Sequence, residues 1–261
     1  MDDRKATVDK YVGTITVRLP KAWPRQSIAW GERAEQVPDH FLRWLLGETI
    51  ANLEGHEDQS ITKLLGYLQT LRVEDASKGF DGPYFELEGS TETNSVRGQA
   101  VDNGIDFEIT MDNDTLKVVT GEDQKGRREL IQEMSVTFIH ELAHFKQIRT
   151  WENVSHPWPR TFSSGGANTG IPFKDWTPDV QAAYTEFENA GTGKAAKGDP
   201  VWRRKFKALA NVEYYNPKRG VDLRGRELVS HIIELVYEWR SPERFAQTFP
   251  KCKALLDRVT G

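Results

Sequence analysis

The sequence predicts an α+β fold, with strands in the first part of the chain, one long helix near the middle and a mostly helical C-terminal part. Three observations favour this class. Short alternating runs typical of strands occur before residue 120, a continuous helical pattern covers residues 127–148, and further helical patterns fill most of the chain after residue 178. At 261 residues the chain can hold one large domain or a small lobe and a larger domain.

The first eighty residues contain one predicted strand and two predicted helices. Residues 11–19 alternate and end at Pro20, which indicates a strand. Residues 39–53 have helical spacing after Pro38, and residues 60–73 form a second helix with Ser60 as its N-cap. A Gly- and Asp-rich break then covers residues 78–83. We therefore expect an N-terminal α/β lobe over residues 1–80, which could be part of the same domain as residues 81–261.

Strands are predicted ahead of the central helix and helices behind it. The strand candidates are residues 84–88, 97–110 and 115–119. A long polar segment, residues 151–178, follows the central helix, and loops of this length are uncommon and often functional. The helices predicted after it cover residues 179–189, 200–211, 224–239, a short segment from 241 to about 250, and 251–259.

Composition excludes several classes of protein. A content of 38% hydrophobic and 28% charged residues is typical of a soluble globular chain, and a net charge of −4 gives no support for a nucleic-acid partner. Cys252 is the single cysteine, which excludes an internal disulfide framework. No run of eighteen apolar residues is present, and the charged N-terminus lacks the apolar region of a secretory signal. We expect a protein that is cytoplasmic where it is synthesised or is exported by a signal-peptide-independent route.

The most informative segment is Phe138-Ile139-His140-Glu141-Leu142-Ala143-His144-Phe145 within the central helix. Two histidines four residues apart lie on one face of a helix, with Cβ atoms about 5–6 Å apart. Both imidazoles can therefore reach one metal ion at about 2.0–2.1 Å. Glu141, next to the first histidine, falls beside the metal, where it can take a proton from a zinc-bound water. The alternative is an amphipathic helix whose two histidines lie at the surface or are satisfied by ordinary contacts.

This segment resembles the HExxH motif of the zinc metallopeptidases known as zincins. The resemblance implies a zincin-like catalytic domain over residues 81–261, with a small mixed sheet packed on the HExxH helix and an edge strand that can bind an extended substrate. It also implies Zn²⁺ as cofactor and a protein or peptide as substrate.

The third ligand has to come from elsewhere, because the residues after His144 contain neither the glycine nor the third histidine of the extended metzincin motif. Helix 224–239 offers the best candidates, since Glu227, His231 and Glu234 fall at i, i+4 and i+7 on one face. Buried polar groups there would need partners such as a metal ion or a metal-bound histidine. The alternative is a solvated stripe completed by Glu238. Glu186 and Glu188 are more distant candidates.

The last forty residues resemble the C-terminal end of the anthrax-lethal-factor-like gluzincins. In that family the ligand glutamate opens a helix of the form ExxxE, and a short helix, a proline and a terminal helix follow. The resemblance implies Glu227 as the ligand, with Glu234 as the fallback, and it places His231 where the family has an acidic residue. A tyrosine precedes the ligand helix in that family, so Tyr215 or its neighbour Tyr214 could hydrogen-bond the oxyanion. Packing is the alternative role for both tyrosines, and His156 is a further possible donor.

Together these features predict a zinc-dependent endopeptidase. His140, His144 and Glu227 would bind zinc, Glu141 would be the general base, and Tyr215 would stabilise the oxyanion. The alternative is a catalytically inactive zincin-fold binding or regulatory module, against which the intact Glu141 argues. The resemblance to a toxin protease also suggests a delivered effector that acts on host proteins.

Overall fold

Helices make up most of the structure. A computed structural model describes residues 5–11, 37–75, 84–89, 95–101, 104–111, 124–150, 173–190, 198–211, 215–219 and 221–261. Within these ranges the chain forms nine α-helices: α1 (Lys5–Tyr11), α2 (Val37–Glu54), α3 (Gln59–Asp75), α4 (Gln124–Thr150), α5 (Pro178–Asn189), α6 (Pro200–Leu209), α7 (Arg224–Trp239), α8 (Pro242–Thr248) and α9 (Pro250–Thr260). Short 3₁₀ turns cover Phe173–Asp175 and Pro217–Arg219.

The described strands are few and short. β1 (Tyr84–Gly89), β2 (Ser95–Val101) and β3 (Gly104–Met111) form a three-stranded sheet in the order β1-β3-β2. β1 runs parallel to β3, with Phe85 opposite Phe107, and β2 runs antiparallel to β3. β4 (Tyr215–Asn216) and β5 (Val221–Asp222) form a separate antiparallel pair.

The predicted fold class, an α+β fold organised by a mixed sheet on the HExxH helix, is wrong, because the described residues are mainly helical. The physical reason is that helical periodicity runs through far more of the chain than strand alternation does. The strand predictions at 84–88 and 97–110 are confirmed locally, as β1 and as β2 with β3. Residue 11 ends helix α1, and residues 12–19 and 115–119 lie outside the described residues.

Every helix predicted from residue 39 onward is confirmed within a few residues of its predicted ends. The 224–239 helix has the predicted bounds, and Arg240 closes it in the left-handed conformation, with φ of 49°. Proline opens α5, α6, α8 and α9, where its fixed φ suits the first turn and its missing N–H costs nothing. Asp199 also caps α6, accepting hydrogen bonds of 3.0 Å from the Val201 and Trp202 amides.

The chain divides into two compact units, and the first comprises residues 1–55 and 65–141. Within its described part, α1 packs on α2, where Lys10 pairs with Glu54 at 2.8 Å. The Asn52 amide on α2 donates to the Ser135 hydroxyl on α4 at 3.1 Å. These polar contacts join three helices of the unit.

The second unit comprises residues 56–64 and 142–261. Its core is rich in aromatic rings: the Phe249 ring lies 5.7 Å from Phe187, 5.5 Å from Trp239 and 5.4 Å from Phe245, measured between centroids. Helix α9 packs on α5 and α6 packs on α7. Cys252 of α9 is fully buried, its thiol donates to the Ala183 carbonyl at 3.2 Å, and burial raises its pKa well above the usual value.

The boundary between the units falls inside α4, between Glu141 and Leu142, and α4 itself is one uninterrupted helix. Helical geometry alone therefore sets the spacing of His140, Glu141 and His144. The predicted division of the chain at residue 80 stays a prediction.

Candidate metal centre

Helix α4 carries the HExxH residues on a well-buried segment. Ile139, Leu142 and Ala143 are fully buried, which fixes the orientation of the helix. The side chains of His140 and Glu141 are 13% and 9% exposed, and His140 Nε2 lies 3.9 Å from Glu141 Oε1. This separation is too long for a hydrogen bond, so Glu141 lies beside the imidazole without donating to it or accepting from it at that atom.

Helix α7 contributes the carboxylate that meets His144. Thirteen of its sixteen residues are buried, including Glu227, which is 2% exposed. Glu227 lies in the first turn, where the positive end of the helix dipole stabilises an anion. His144 Nε2 lies 3.0 Å from Glu227 Oε2, and the Arg226 guanidinium pairs with the other oxygen, Oε1, at 3.1 Å.

His140, His144 and Glu227 form a group that could hold a metal ion. Each offers one ligand atom, and the three atoms all lie within 4.8 Å of one another. Two imidazoles and one carboxylate are the donor set of many catalytic zinc sites, which keep a fourth position open. Bonds of about 2.0–2.1 Å in tetrahedral geometry place ligand atoms about 3.3 Å apart. The ligand atoms are thus at most about 1.5 Å farther apart than in a bound site, and their chemistry fits a divalent cation.

A second group, His140, His231 and Glu234, also meets the 4.8 Å limit. In this group Glu234 already carries a cationic partner: its Oε2 lies 2.9 Å from Lys205 Nζ and 2.9 Å from His231 Nδ1. A metal ion that bound Glu234 would lie beside the buried Lys205 ammonium, whereas the cation that accompanies Glu227, Arg226, is 34% exposed. The surroundings of Glu227 are therefore more favourable for a metal ligand than those of Glu234, the fallback suggested by the sequence.

Arg224 holds the start of helix α7. Its guanidinium makes two contacts with Asp222, at 2.8 and 2.9 Å, and donates to the Tyr184 hydroxyl at 3.0 Å. Burial raises the pKa of the Tyr184 hydroxyl, so that it stays neutral under Arg224. The same guanidinium lies 3.7 Å from the centroid of the Tyr215 ring. These contacts fix the turn of α7 that carries Glu227.

Gly225 allows this turn to approach Trp176 closely. A Cβ atom at Gly225 would lie 2.8 Å from Trp176 Cε2, closer than real side chains pack. Trp176 is itself held by Phe173 and Tyr184, with ring centroids at 4.9 and 5.4 Å. The glycine is thus required by packing rather than by backbone conformation.

The structure places the remaining predicted site residues as follows. Tyr215 lies in β4 with 38% of its surface exposed and one ring face covered by Arg224, and its catalytic role stays a prediction. Tyr214 and His156 lie outside the described residues. Glu186 caps α9 instead, since its Oε2 accepts hydrogen bonds of 2.8 Å from the Lys251 and Cys252 amides.

Sequence reasoning missed Lys205, although a signal for it was present. Trp202, Lys205 and Leu209 fall at i, i+3 and i+7 on α6, and all three are buried. A lysine on the apolar stripe of an amphipathic helix needs an anionic partner, which α7 supplies with Glu234 and Glu238.

No protein-family model, curated protein or solved structure matches this chain. The resemblance to zincins is accordingly supported at the level of a His/His/Glu group that could hold a metal ion. In the part of the chain that the structure describes, no helix combines the length and apolarity needed to cross a bilayer.

Proposed function

We propose that this protein is a zinc-dependent endopeptidase that hydrolyses a peptide bond in a protein substrate. The observation that carries the proposal is the His140, His144 and Glu227 group, whose three ligand atoms lie within 4.8 Å of one another. Glu141, adjacent in sequence to the first histidine and largely buried, supports hydrolysis over simple metal storage.

His140, His144 and Glu227 would hold the zinc ion. When bound, zinc acts as a Lewis acid that makes water more acidic and polarises a carbonyl group. Arg226 remains on the outer oxygen of Glu227, so it neutralises that carboxylate and leaves Oε2 directed toward His144. The donors thus carry little net charge beyond that of the cation, which favours its electrophilic character.

Glu141 would move the proton. Its carboxylate accepts a proton from the attacking water as the carbon–oxygen bond forms. It then donates that proton to the leaving nitrogen as the carbon–nitrogen bond breaks, so that Glu141 ends the cycle ionised again. Low exposure of the carboxylate reduces screening by water and strengthens its interaction with both groups. Tyr215 would donate a hydrogen bond to the developing oxyanion.

The first test measures bound metal and hydrolysis separately. We expect the purified protein to carry about one zinc ion per chain by elemental mass spectrometry and to cleave members of a peptide library. Glu141→Gln should keep the metal and lower kcat by about 10²–10⁴-fold, the usual contribution of a general base. Glu133→Gln, an exposed position on the same helix, is the matched control and should keep both properties.

Three results would contradict the proposal in different ways. Absence of metal binding would remove the site, and undiminished hydrolysis by Glu141→Gln would remove the assigned base. Metal binding without any hydrolysis would favour the second candidate, an inactive zincin-fold binding or regulatory module. Delivery into another cell stays a prediction.

A further inference from the structure

We propose that Lys205 is a built-in cation that keeps Glu234 out of the metal's coordination and assigns it to orient His231 instead. The inference rests on the proposed metal centre, and it concerns which carboxylate of helix α7 that centre uses. Lys205 belongs to α6, and its side chain is only 7% exposed. Its Nζ lies 2.9 Å from Glu234 Oε2 and 2.8 Å from Glu238 Oε2 on α7.

Two contacts of the Glu234 side chain fall on one carboxylate oxygen. Glu234 Oε2 has His231 Nδ1 at 2.9 Å and Lys205 Nζ at 2.9 Å. A carboxylate oxygen offers about two lone-pair sites, and these two donors use both. The Nδ1 atom of His231 then carries the hydrogen, which fixes the tautomer and the ring orientation. A divalent cation cannot use this oxygen without displacing a donor.

The partners of the Glu227 carboxylate are arranged differently. There the two oxygens are divided, with Oε2 toward His144 and Oε1 toward Arg226. The Arg226 side chain is 34% exposed, so water screens its charge and weakens its interaction with Glu227. The Lys205 side chain is only 7% exposed, so its charge interacts mainly with the carboxylates around it and little with water.

Removal of the Lys205 ammonium would leave two largely buried carboxylates with less positive charge beside them. Glu234 and Glu238 are 9% and 14% exposed, and two carboxylates so little hydrated strongly favour a nearby cation. Arg204 pairs with Glu238, so Glu238 keeps one positive partner. Glu234 and His231 belong to the second group with ligand spacing. Because both groups need His140, they cannot be filled together, so without Lys205 we expect Glu234 to compete with Glu227 for the same cation.

The experiment identifies the ligands of the bound cation in the full chain. Zinc per chain is measured by elemental mass spectrometry and isothermal titration, and Co²⁺ absorption reports the ligand set. Lys205→Met should still bind one equivalent, but its Co²⁺ spectrum should differ from that of the wild type because Glu234 enters the ligand set. Lys205→Met/Glu234→Gln should return the wild-type spectrum. Lys253→Met is the matched control, because Lys253 pairs with Asp257 near the surface of α9, and it should leave the spectrum unchanged. A wild-type Co²⁺ spectrum in Lys205→Met would overturn the inference.

A second measurement needs no variant at Lys205. In the wild type the ¹⁵N–¹H spectrum should show His231 with its proton on Nδ1 both before and after zinc is added. Loss of that proton on loading would mean that the metal binds His231 Nδ1 and breaks its contact with Glu234, which would also overturn the inference. A wild type that takes up no zinc refutes the proposed function, whereas zinc binding by the wild type with an unchanged Co²⁺ spectrum in Lys205→Met refutes only the role of Lys205.

Discussion

Helix α7 presents a buried carboxylate to an imidazole twice, at Glu227 and again at Glu234. The distances are nearly equal, 3.0 Å from Glu227 to His144 and 2.9 Å from Glu234 to His231. The two regions differ in the positive charge that accompanies each carboxylate, a partly exposed guanidinium at Glu227 and a buried ammonium at Glu234. Proximity to histidine therefore does not distinguish the two carboxylates, and we expect the neighbouring charge to decide which of them is available to a cation.

The largest expected effect separates the two glutamates directly. Glu227→Gln should weaken zinc affinity by more than about 100-fold, beyond the 10–100-fold typical of residues that only orient a ligand. Glu234→Gln should weaken it by about tenfold or less, because a glutamine oxygen can still accept from His231 Nδ1. Competition with a chromophoric chelator measures both affinities. Equal losses, or a larger loss at Glu234, would reverse the comparison.

The next effect tests the two counter-charges in protein free of added metal. Lys205→Met should lower the free energy of unfolding by about 3–5 kcal/mol, since it leaves buried carboxylates without their ammonium. Arg226→Met should cost about 1 kcal/mol or less, since its side chain is 34% exposed. Urea denaturation provides both values. Similar costs for the two variants would mean that burial of the ammonium is not the distinguishing feature.

A smaller effect concerns how the Glu227 end of the helix is held. Gly225→Ala should destabilise the protein by about 1–3 kcal/mol, because the new methyl group would overlap the packed Trp176 ring. Gly66→Ala in α3 is the control: it meets no atom within 4 Å and should stabilise by about 0.5–1 kcal/mol. Thermal unfolding followed by circular dichroism distinguishes the two. A stable Gly225→Ala variant would show that Trp176 does not anchor this end.

The smallest effect concerns the other end of α7, beyond Glu234. His56 Nε2 donates to the Tyr237 carbonyl at 3.2 Å, while Nδ1 accepts from the Asp58 amide at 3.0 Å, so the imidazole is held neutral. Burial lowers the pKa of His56, with Arg240 acting in the same direction and the Tyr237 carbonyl, Asp58 and Glu57 against it.

Because the unfolded chain binds this proton more readily, stability should fall as the pH drops below about 6.5 toward the folded pKa. Urea denaturation at pH 7.5 and 5.5 should show a larger loss in the wild type than in His56→Gln. Identical losses would mean that His56 does not contribute to the pH dependence of stability.

The helices and the HExxH motif could be predicted from the sequence because they depend on local patterns. Residues 224–239 are recognised by apolar spacing, and the i, i+4 and i+7 positions of Glu227, His231 and Glu234 follow from helical geometry. The fold class could not be predicted in the same way. The positions of strands such as β1 and β3 follow from local alternation. The fold class depends instead on the proportion of strand to helix in the whole structure, which no single segment reveals.

The resemblance implied Glu227 over Glu234, but the physical difference between their surroundings lay beyond the sequence. It depends on Lys205, which lies more than twenty residues earlier and meets Glu234 only when α6 packs on α7. The role of Glu186 as a cap likewise depends on the packing of α9 on α5, a contact that no local pattern encodes. Long-range electrostatic pairs of this kind are properties of the folded chain.

Cys252 provides a chemical way to compare the stabilities of the variants described above. It is the sole cysteine, it is fully buried, and burial raises its thiol pKa, so almost no reactive thiolate is accessible while the second unit is folded. Alkylation by iodoacetamide at neutral pH should therefore proceed only through opening of the structure. The molecule thus carries its own chemical reporter of unfolding, which can rank variants without a known substrate.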